Sequence, residues 1–251
     1  MNMDVGNVIA PPAPRRLEEM KLPPIMMRDI LLKTMFRKNL DLVSDLARAI
    51  CLPVPVTQEL IDLARGQKLV EATGTLHANS GGEMGYQLTD AGKARALDAL
   101  SQSEYFGPMP VPLSVYAEQV QRQSIRNIQV TREMLTGAMG HLVLPDDLLD
   151  QLGPAVSAGR SILMYGPPGN GKSSISNGIR DALGDKIYIP RAIEYAGQVI
   201  TVYDPIVHTA AEECEDDPHS LRRSSNRFDT RYVYCERPTV VTGGELTLNM
   251  L

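Results

Sequence analysis

The sequence predicts an α/β chain in which a small α+β unit precedes a larger unit built around a Gly-rich loop. Two observations carry that expectation. Gly166-Pro-Pro-Gly-Asn-Gly-Lys172-Ser173 is a full G-x-x-x-x-G-K-S/T match, set between a short apolar run and an amphipathic helical stripe. Upstream, residues 24–100 change period from helix to strand and back to helix. Pro108, Pro110 and Pro112 fall between the two regions and mark the boundary.

Residues 1–20 are rich in proline and charge without a regular period, and read as a mobile tail. The first unit occupies 21–100. Met27, Ile30, Leu31 and Met35 recur at helical spacing, and after Asn39 and Asp41, either able to cap, Val43, Leu46, Ala47 and Ile50 repeat it. A third helix is expected from Thr57, as N-cap, through Leu60, Leu63 and Ala64 to Gly66 in the left-handed C-terminal conformation. Lys68–Thr75 and Tyr86–Leu88 read as strands about a Gly-rich turn over 78–85, and Thr89 caps a helix over Asp90–Leu100.

That order, with the junction Tyr86-Gln-Leu-Thr-Asp-Ala-Gly92, resembles the winged-helix family. The resemblance implies that the third helix is a DNA-reading helix, with Gln58, Glu59, Asp62, Arg65, Gln67 and Lys68 at or beside its polar face. The face is mixed in sign, whereas phosphate contact wants an excess of Lys and Arg. Docking of a protein partner therefore competes with DNA as the use of this unit.

Residues 101–114 read as a semi-rigid extended linker and 115–251 as the second unit. Within it, helices are expected around Val115–Arg126, over Thr131–Met139, and from Pro145 with Leu149, Leu152 and Val156 on one face. Ser161–Tyr165 reads as a buried strand before the loop; Ile175, Ile179 and Leu183 stripe the helix after it, which ends at Gly184.

Strand, Gly-rich turn and helix suit phosphate binding. Glycines let main-chain N–H groups converge on phosphate oxygens, and the helix N-terminus adds partial positive charge. On this reading Gly166, Pro167, Pro168, Gly169, Asn170, Gly171, Lys172, Ser173 and Ser174 form the nucleotide site. Lys172, the catalytic candidate, neutralises the β- and γ-phosphates of ATP, and Ser173 offers its hydroxyl to Mg²⁺.

The Pro-Pro form of the loop and the approach Leu148-Leu-Asp-Gln-Leu-Gly-Pro-Ala-Val-Ser-Ala-Gly-Arg160 resemble the AAA-type ATPases, notably a bacterial group described as having chaperone-like activity. The resemblance implies an incomplete α/β P-loop NTPase domain behind a small winged-helix domain. It also implies an oligomeric, Mg²⁺-dependent ATP hydrolase that remodels a macromolecular partner. Two alternatives stand beside it: a nucleotide-switched nucleic-acid-binding regulator, and a P-loop small-molecule kinase, since the loop alone does not name the phosphate acceptor.

A hydrolase of this class also needs a strand-end carboxylate for Mg²⁺. No apolar run ending in Asp-Asp or Asp-Glu follows Ser173. Val199-Ile-Thr-Val-Tyr-Asp204 is the nearest candidate, but Lys186–Glu194 and Gln198–Tyr203 flank Ala196-Gly197 as strands flank a hairpin turn, which puts Asp204 at a hairpin end. Arg231–Glu236 and Thr239–Thr242 read as a further strand pair, and the apolar stretch at 246–251 has nothing to cover it. The expectation is a fragment that binds nucleotide and hydrolyses it poorly.

The remaining composition narrows the classes. Of the 251 residues, 43% are apolar, enough for a sizeable core, and the formal net charge of −5 argues against a surface wholly committed to nucleic acid. With no membrane-length apolar run and no apolar leader at the start, a cytoplasmic protein without membrane insertion is expected. Cys51, Cys214 and Cys235 are far apart and read as reduced thiols. His208, Cys214, His219 and Cys235 match no paired-ligand spacing, and Arg222, Arg223, Arg227 and Arg231 read as a solvated basic loop.

Overall fold

Three helices follow one another where the apolar spacing places them: α1 (Pro24–Lys38), α2 (Val43–Ile50) and α3 (Val54–Gly66). Their inward faces close a core in which Leu31, Leu46, Ile50, Val56, Leu60 and Ile61 are fully buried. The computed structural model describes residues 8–75, 83–125, 130–158, 162–167, 169–184, 186–211 and 228–238. Over these the architecture is mixed α/β, with helices set against three small sheets.

Several caps differ from expectation. Asn39 ends α1 in the left-handed conformation (φ 51°) instead of starting α2, and the Asp41 carbonyl accepts the Tyr86 N–H at 2.8 Å. Pro53 and Pro55 start α3 a turn earlier than Thr57, because a first-turn proline sacrifices no intrahelical bond. Thr57 is buried inside the helix, its hydroxyl donating to the Pro53 carbonyl at 3.1 Å. The left-handed residue after α3 is Lys68 (φ 58°), not Gly66.

The strands β1 (Val70–Thr75) and β2 (Met84–Leu88) pair antiparallel, with Val70 opposite Leu88 and a bulge between Ala72 and Gly74. Most of the expected Gly-rich turn lies outside the described residues. Helix α4 (Asp90–Gln102) begins where Thr89 Oγ1 accepts the Gly92 N–H at 3.0 Å. That hydroxyl also donates to the Lys68 carbonyl at 2.9 Å, and the Thr89 N–H donates to Leu69 O at 3.1 Å. Gly92 sits so close to the backbone that an added Cβ would lie 1.9 Å from Leu69 O. Asp29 then ties α4 to α1, accepting from Arg95 at 2.6 Å and from Arg28 at 2.7 Å.

Residues 8–20 of the expected tail, the part that is described, and the expected linker are both built into the molecule. From Val8 onward the N-terminal segment is anchored: Ile9 O accepts from Gln119 Nε2 at 3.0 Å, Pro11 O accepts the Asp229 N–H at 2.8 Å, and the Leu17 N–H donates to Glu59 at 2.9 Å. A 3₁₀ turn at Leu17–Met20 delivers Met20 into the first core. Of residues 101–114, expected as an extended linker, Ser101 and Gln102 end α4 and Leu113 and Ser114 begin the next helix; residues 103–112 between them form no helix and bend at Gly107 (φ 107°), and Met109 and Val111 are fully buried. The Gly107 N–H donates to Thr34 Oγ1 at 3.0 Å and the Met109 N–H to Ile50 O at 2.7 Å. Pro108, Pro110 and Pro112 keep this segment out of a helix while its apolar neighbours pack, so neither a helical nor a strand period marks its burial.

The short strand β3 (Val111–Pro112) leads into α5 (Leu113–Arg122) and pairs parallel with β5 (Ala192–Tyr195), which follows β4 (Lys186–Pro190). The β5–β6 hairpin, with β6 at Gln198–Thr201, turns at Ala196 (φ 49°) and Gly197 (φ 79°), as the sequence predicts. Strand β7 (Tyr232–Glu236) pairs antiparallel with β4, Lys186 facing Glu236. On the other edge of β4 the Gln123 side chain acts as a one-residue strand, accepting the Tyr188 N–H at 3.0 Å and donating to Tyr188 O at 3.1 Å. Residues 239–242, expected as a strand, lie outside the described residues.

A separate core gathers α6 (Arg132–Ala138), α7 (Asp146–Ser157) and α8 (Lys172–Leu183) around Leu135, Met139, Leu152, Val156, Ile175 and Ala182. Among the described residues no helix is long and apolar enough to cross a membrane.

Arg231 is the plainest departure from the solvated-loop expectation. It is buried beside Asp229, which it grips through Nε at 3.0 Å and Nη2 at 2.7 Å, while Nη1 donates to Pro110 O at 3.2 Å. Removing one partner strands a buried charge, so Asp229→Ala is expected to lower unfolding free energy by roughly 3–5 kcal/mol in urea denaturation. Gly92→Ala, which drives a methyl group into the Leu69 carbonyl, is expected to cost about 1–3 kcal/mol in the same measurement.

Candidate phosphate-binding loop

The loop turns on its glycines. Gly166 (φ 147°), Gly169 (φ 86°) and Gly171 (φ 71°) lie in the region that disfavours side chains, and an added Cβ at any of them would meet open space within 4 Å. Their identity is therefore set by backbone conformation and not by crowding. Pro167 and Asn170 are exposed between them, and Pro168 lies outside the described residues.

Helix α8 starts at Lys172, directly after Gly171, with no side chain among the described residues capping its first turn. Its leading N–H groups are thus left for solvent or a ligand. Ser173 is exposed and Ser174 half-buried in that turn. Lys172 folds back over the loop, its ammonium donating to Gly166 O at 3.0 Å and Pro167 O at 2.7 Å. A positive charge is held by two loop carbonyls beside an uncapped helix N-terminus, a combination that attracts an anion.

The approach to the loop departs from expectation. Ile162–Tyr165 form no strand, and Leu163 and Tyr165 are 86% and 89% exposed. A strand needs a neighbouring strand for its backbone hydrogen bonds, and a buried parallel one also needs both faces covered. Here β4 and β7 pair with one another, and β3, β5 and β6 form a separate sheet, so among the described residues Ile162–Tyr165 have no strand to join. The loop is positioned by α8 instead.

Helix α8 is seated through Ile175, Gly178 and Ala182, which face α6 and α7. Gly178 is the closest approach: an added Cβ would lie 2.5 Å from Met139 Cγ. A second face, about 120° round the helix, borders a cleft of about 610 Å³, walled across from α8 by the ends of β4 and β7. Arg180, Asp181, Lys186, Glu236 and Arg237 line it. Sequence reading missed this cleft because its walls come from segments far apart in the chain.

Asp204 stands apart in the turn after β6. Its Oδ1 accepts the Ile206 N–H at 2.9 Å, and its own N–H donates to His208 Nδ1 at 2.9 Å. All its hydrogen bonds named here are local to that turn, the hairpin-end position that the strand pattern indicates. Of the four residues whose spacing matches no paired-ligand pattern, His208 is engaged with Asp204. Cys235 is fully buried, with its thiol pushed up by burial, and Cys214 and His219 lie outside the described residues. Arg222, Arg223 and Arg227 lie outside them too.

The polar face of α3 is largely engaged within the protein. Gln58 donates to Asp62 at 3.2 Å and to Tyr86 Oη at 3.1 Å, Glu59 holds the Leu17 N–H, and Asp62 pairs with Arg65 at 3.1 Å. Gln67 accepts from Arg28 at 2.8 Å.

Comparison with protein-family models finds no match for this chain, and comparison with curated proteins finds none either.

The α8 seat makes a mechanical prediction. Gly178→Ala is expected to destabilise the α6–α8 contact by about 1–3 kcal/mol, and Met139→Ala is expected to be destabilising alone yet to recover part of the loss in the double variant. Thermal melts of the four proteins give the coupling; strict additivity would mean that the two residues do not meet.

Proposed function

We propose that this chain binds a nucleoside triphosphate, ATP with Mg²⁺, through residues 166–174, and that in its working assembly it is an AAA-type ATPase acting on a macromolecular partner. The observation that carries the reading is the coincidence of the full motif with the local geometry. Three glycines occupy backbone conformations that favour glycine, Lys172 lies over the loop, and an uncapped helix begins at the motif's lysine. Main-chain N–H groups and the helix end would hold the phosphates, Lys172 would exchange its two carbonyl partners for phosphate oxygens, and Ser173 would supply a hydroxyl to Mg²⁺.

Residues 21–100 are read as a winged helix used for protein docking. The internal engagement and mixed sign of the α3 face favour that use over DNA reading, which demands free cationic side chains. The homo-oligomer and the cytoplasmic setting belong to the same reading, and Asp204 stays a weak candidate for the Mg²⁺ carboxylate.

The test is titration of a fluorescent ATP analogue with Mg²⁺ into the chain and its Lys172→Ala variant, followed by turnover assays. Losing charge-assisted hydrogen bonds worth about 1.5–3 kcal/mol is expected to weaken binding about 10- to 100-fold. Equal affinity in both proteins would refute the loop as the nucleotide site. Lysine-dependent turnover that Asp204→Ala abolishes would assign the metal carboxylate.

A further inference from the structure

The cleft beside α8 is placed to receive more than solvent. Ser176, Ile179, Arg180 and Leu183 form its helical wall. At about 100° per residue, these four lie within roughly 70° of a line midway between the directions of Lys172 and Ser173, with Ile179 the furthest from it, whereas Asp181, which also borders the cleft, lies about 130° away. The cleft therefore opens on the same side of α8 as the two side chains that head the loop. Along the axis, Ser176 is about 6 Å from Lys172 and Leu183 about 16 Å. A ligand held by its phosphates at the helix N-terminus enters the cleft by lying back along this face.

We propose that the cleft binds the nucleoside part of the nucleotide, with a purine base against Ile179 and Leu183. The proposal rests on the reading of the loop as a phosphate site. The cleft's volume of about 610 Å³ falls within the range of small-molecule sites. Its lining combines apolar surface with a few charged groups, the mixture a base and sugar require. Ile179, Leu183 and Pro238 offer the ring an apolar bed. The Glu236 carboxylate accepts from an exocyclic amine or a sugar hydroxyl, and its backbone is fixed by the N–H bond to Thr209 O at 3.0 Å. Arg180 pairs with Asp181 at 2.8 Å, and together with Lys186 it sets positive charge along the path from the loop.

The test compares Mg²⁺-ATP with inorganic tripolyphosphate, which has the phosphates and no nucleoside, by calorimetric titration of the full chain. Native protein is expected to bind ATP at least about tenfold more tightly than tripolyphosphate, a difference of about 1.4 kcal/mol. Ser176→Trp, which places an indole at the exposed mouth, is expected to remove that advantage and to leave tripolyphosphate affinity within about twofold of native. Glu236→Gln keeps the shape and is expected to weaken ATP alone. Equal native affinity for the two ligands, or unchanged ATP affinity in Ser176→Trp, overturns the cleft proposal while lysine-dependent tripolyphosphate binding preserves the loop. If native protein binds neither ligand, or Lys172→Ala binds both undiminished, the loop reading fails and takes the cleft with it.

Discussion

The buried Asp229–Arg231 pair is the junction on which the arrangement of the chain depends. Around it meet four segments distant in sequence. The Asp229 N–H holds Pro11 of the N-terminal segment, Arg231 Nη1 holds Pro110 of the proline-spaced segment, and the Arg231 carbonyl accepts the Arg191 N–H at the β4–β5 corner. Between the paired residues, Thr230 Oγ1 donates to the Cys51 carbonyl at the end of α2 at 3.0 Å. An ion pair removed from water is tolerated only where its remaining donors are also satisfied. Here the guanidinium reaches the carboxylate and a main-chain carbonyl, so the polar junction and the apolar packing of Met109 and Val111 support one another.

That dependence explains which parts of the structure were legible in the sequence. The helices of the first core announced themselves because Leu31, Leu46 and Leu60 belong to regular 3.6-residue patterns, and burial follows the pattern. The β5–β6 hairpin was legible through Ala196-Gly197. The N-terminal segment and residues 103–112 were not, since they are buried by irregular and proline-bearing backbone whose partners, Asp229, Gln119 and Thr34, are far along the chain. Charge misled at Arg231, where a basic residue in a charged neighbourhood proved to be core because Asp229 lies two positions away.

The site divides in the same way. A phosphate loop is contiguous, so Gly166 to Ser173 could be located without knowledge of the fold, and the positive φ values at Gly166, Gly169 and Gly171 agree with the need for glycine there. Its supporting strand was inferred from hydrophobicity alone. Strand formation also demands partners, and Ile162–Tyr165 find none among the described strands. Hydrophobicity specifies that a segment should be covered; topology decides by what. The cleft had no local signature at all, because β7, the 123–125 region and α8 must first be brought together.

Helix α8 links these two kinds of information. Gly178 lets one face approach Met139 closely and packs the helix between Ile175 and Ala182, while a face about 120° round the helix borders the cleft. Its N-terminus, uncapped by any side chain among the described residues, has leading N–H donors that water, loop carbonyls or a bound anion can complement. Lys172 bonded to Gly166 and Pro167 carbonyls closes the loop on itself without satisfying those N–H groups, since an ammonium is a donor with no acceptor to offer. An anion answers both demands at once, accepting from the helix N-terminus and from the lysine while balancing their positive charge. On the proposed reading, the loop's resting hydrogen bonds would compete with a phosphate for Lys172 alone, and the helix end would provide the additional attraction that favours exchange.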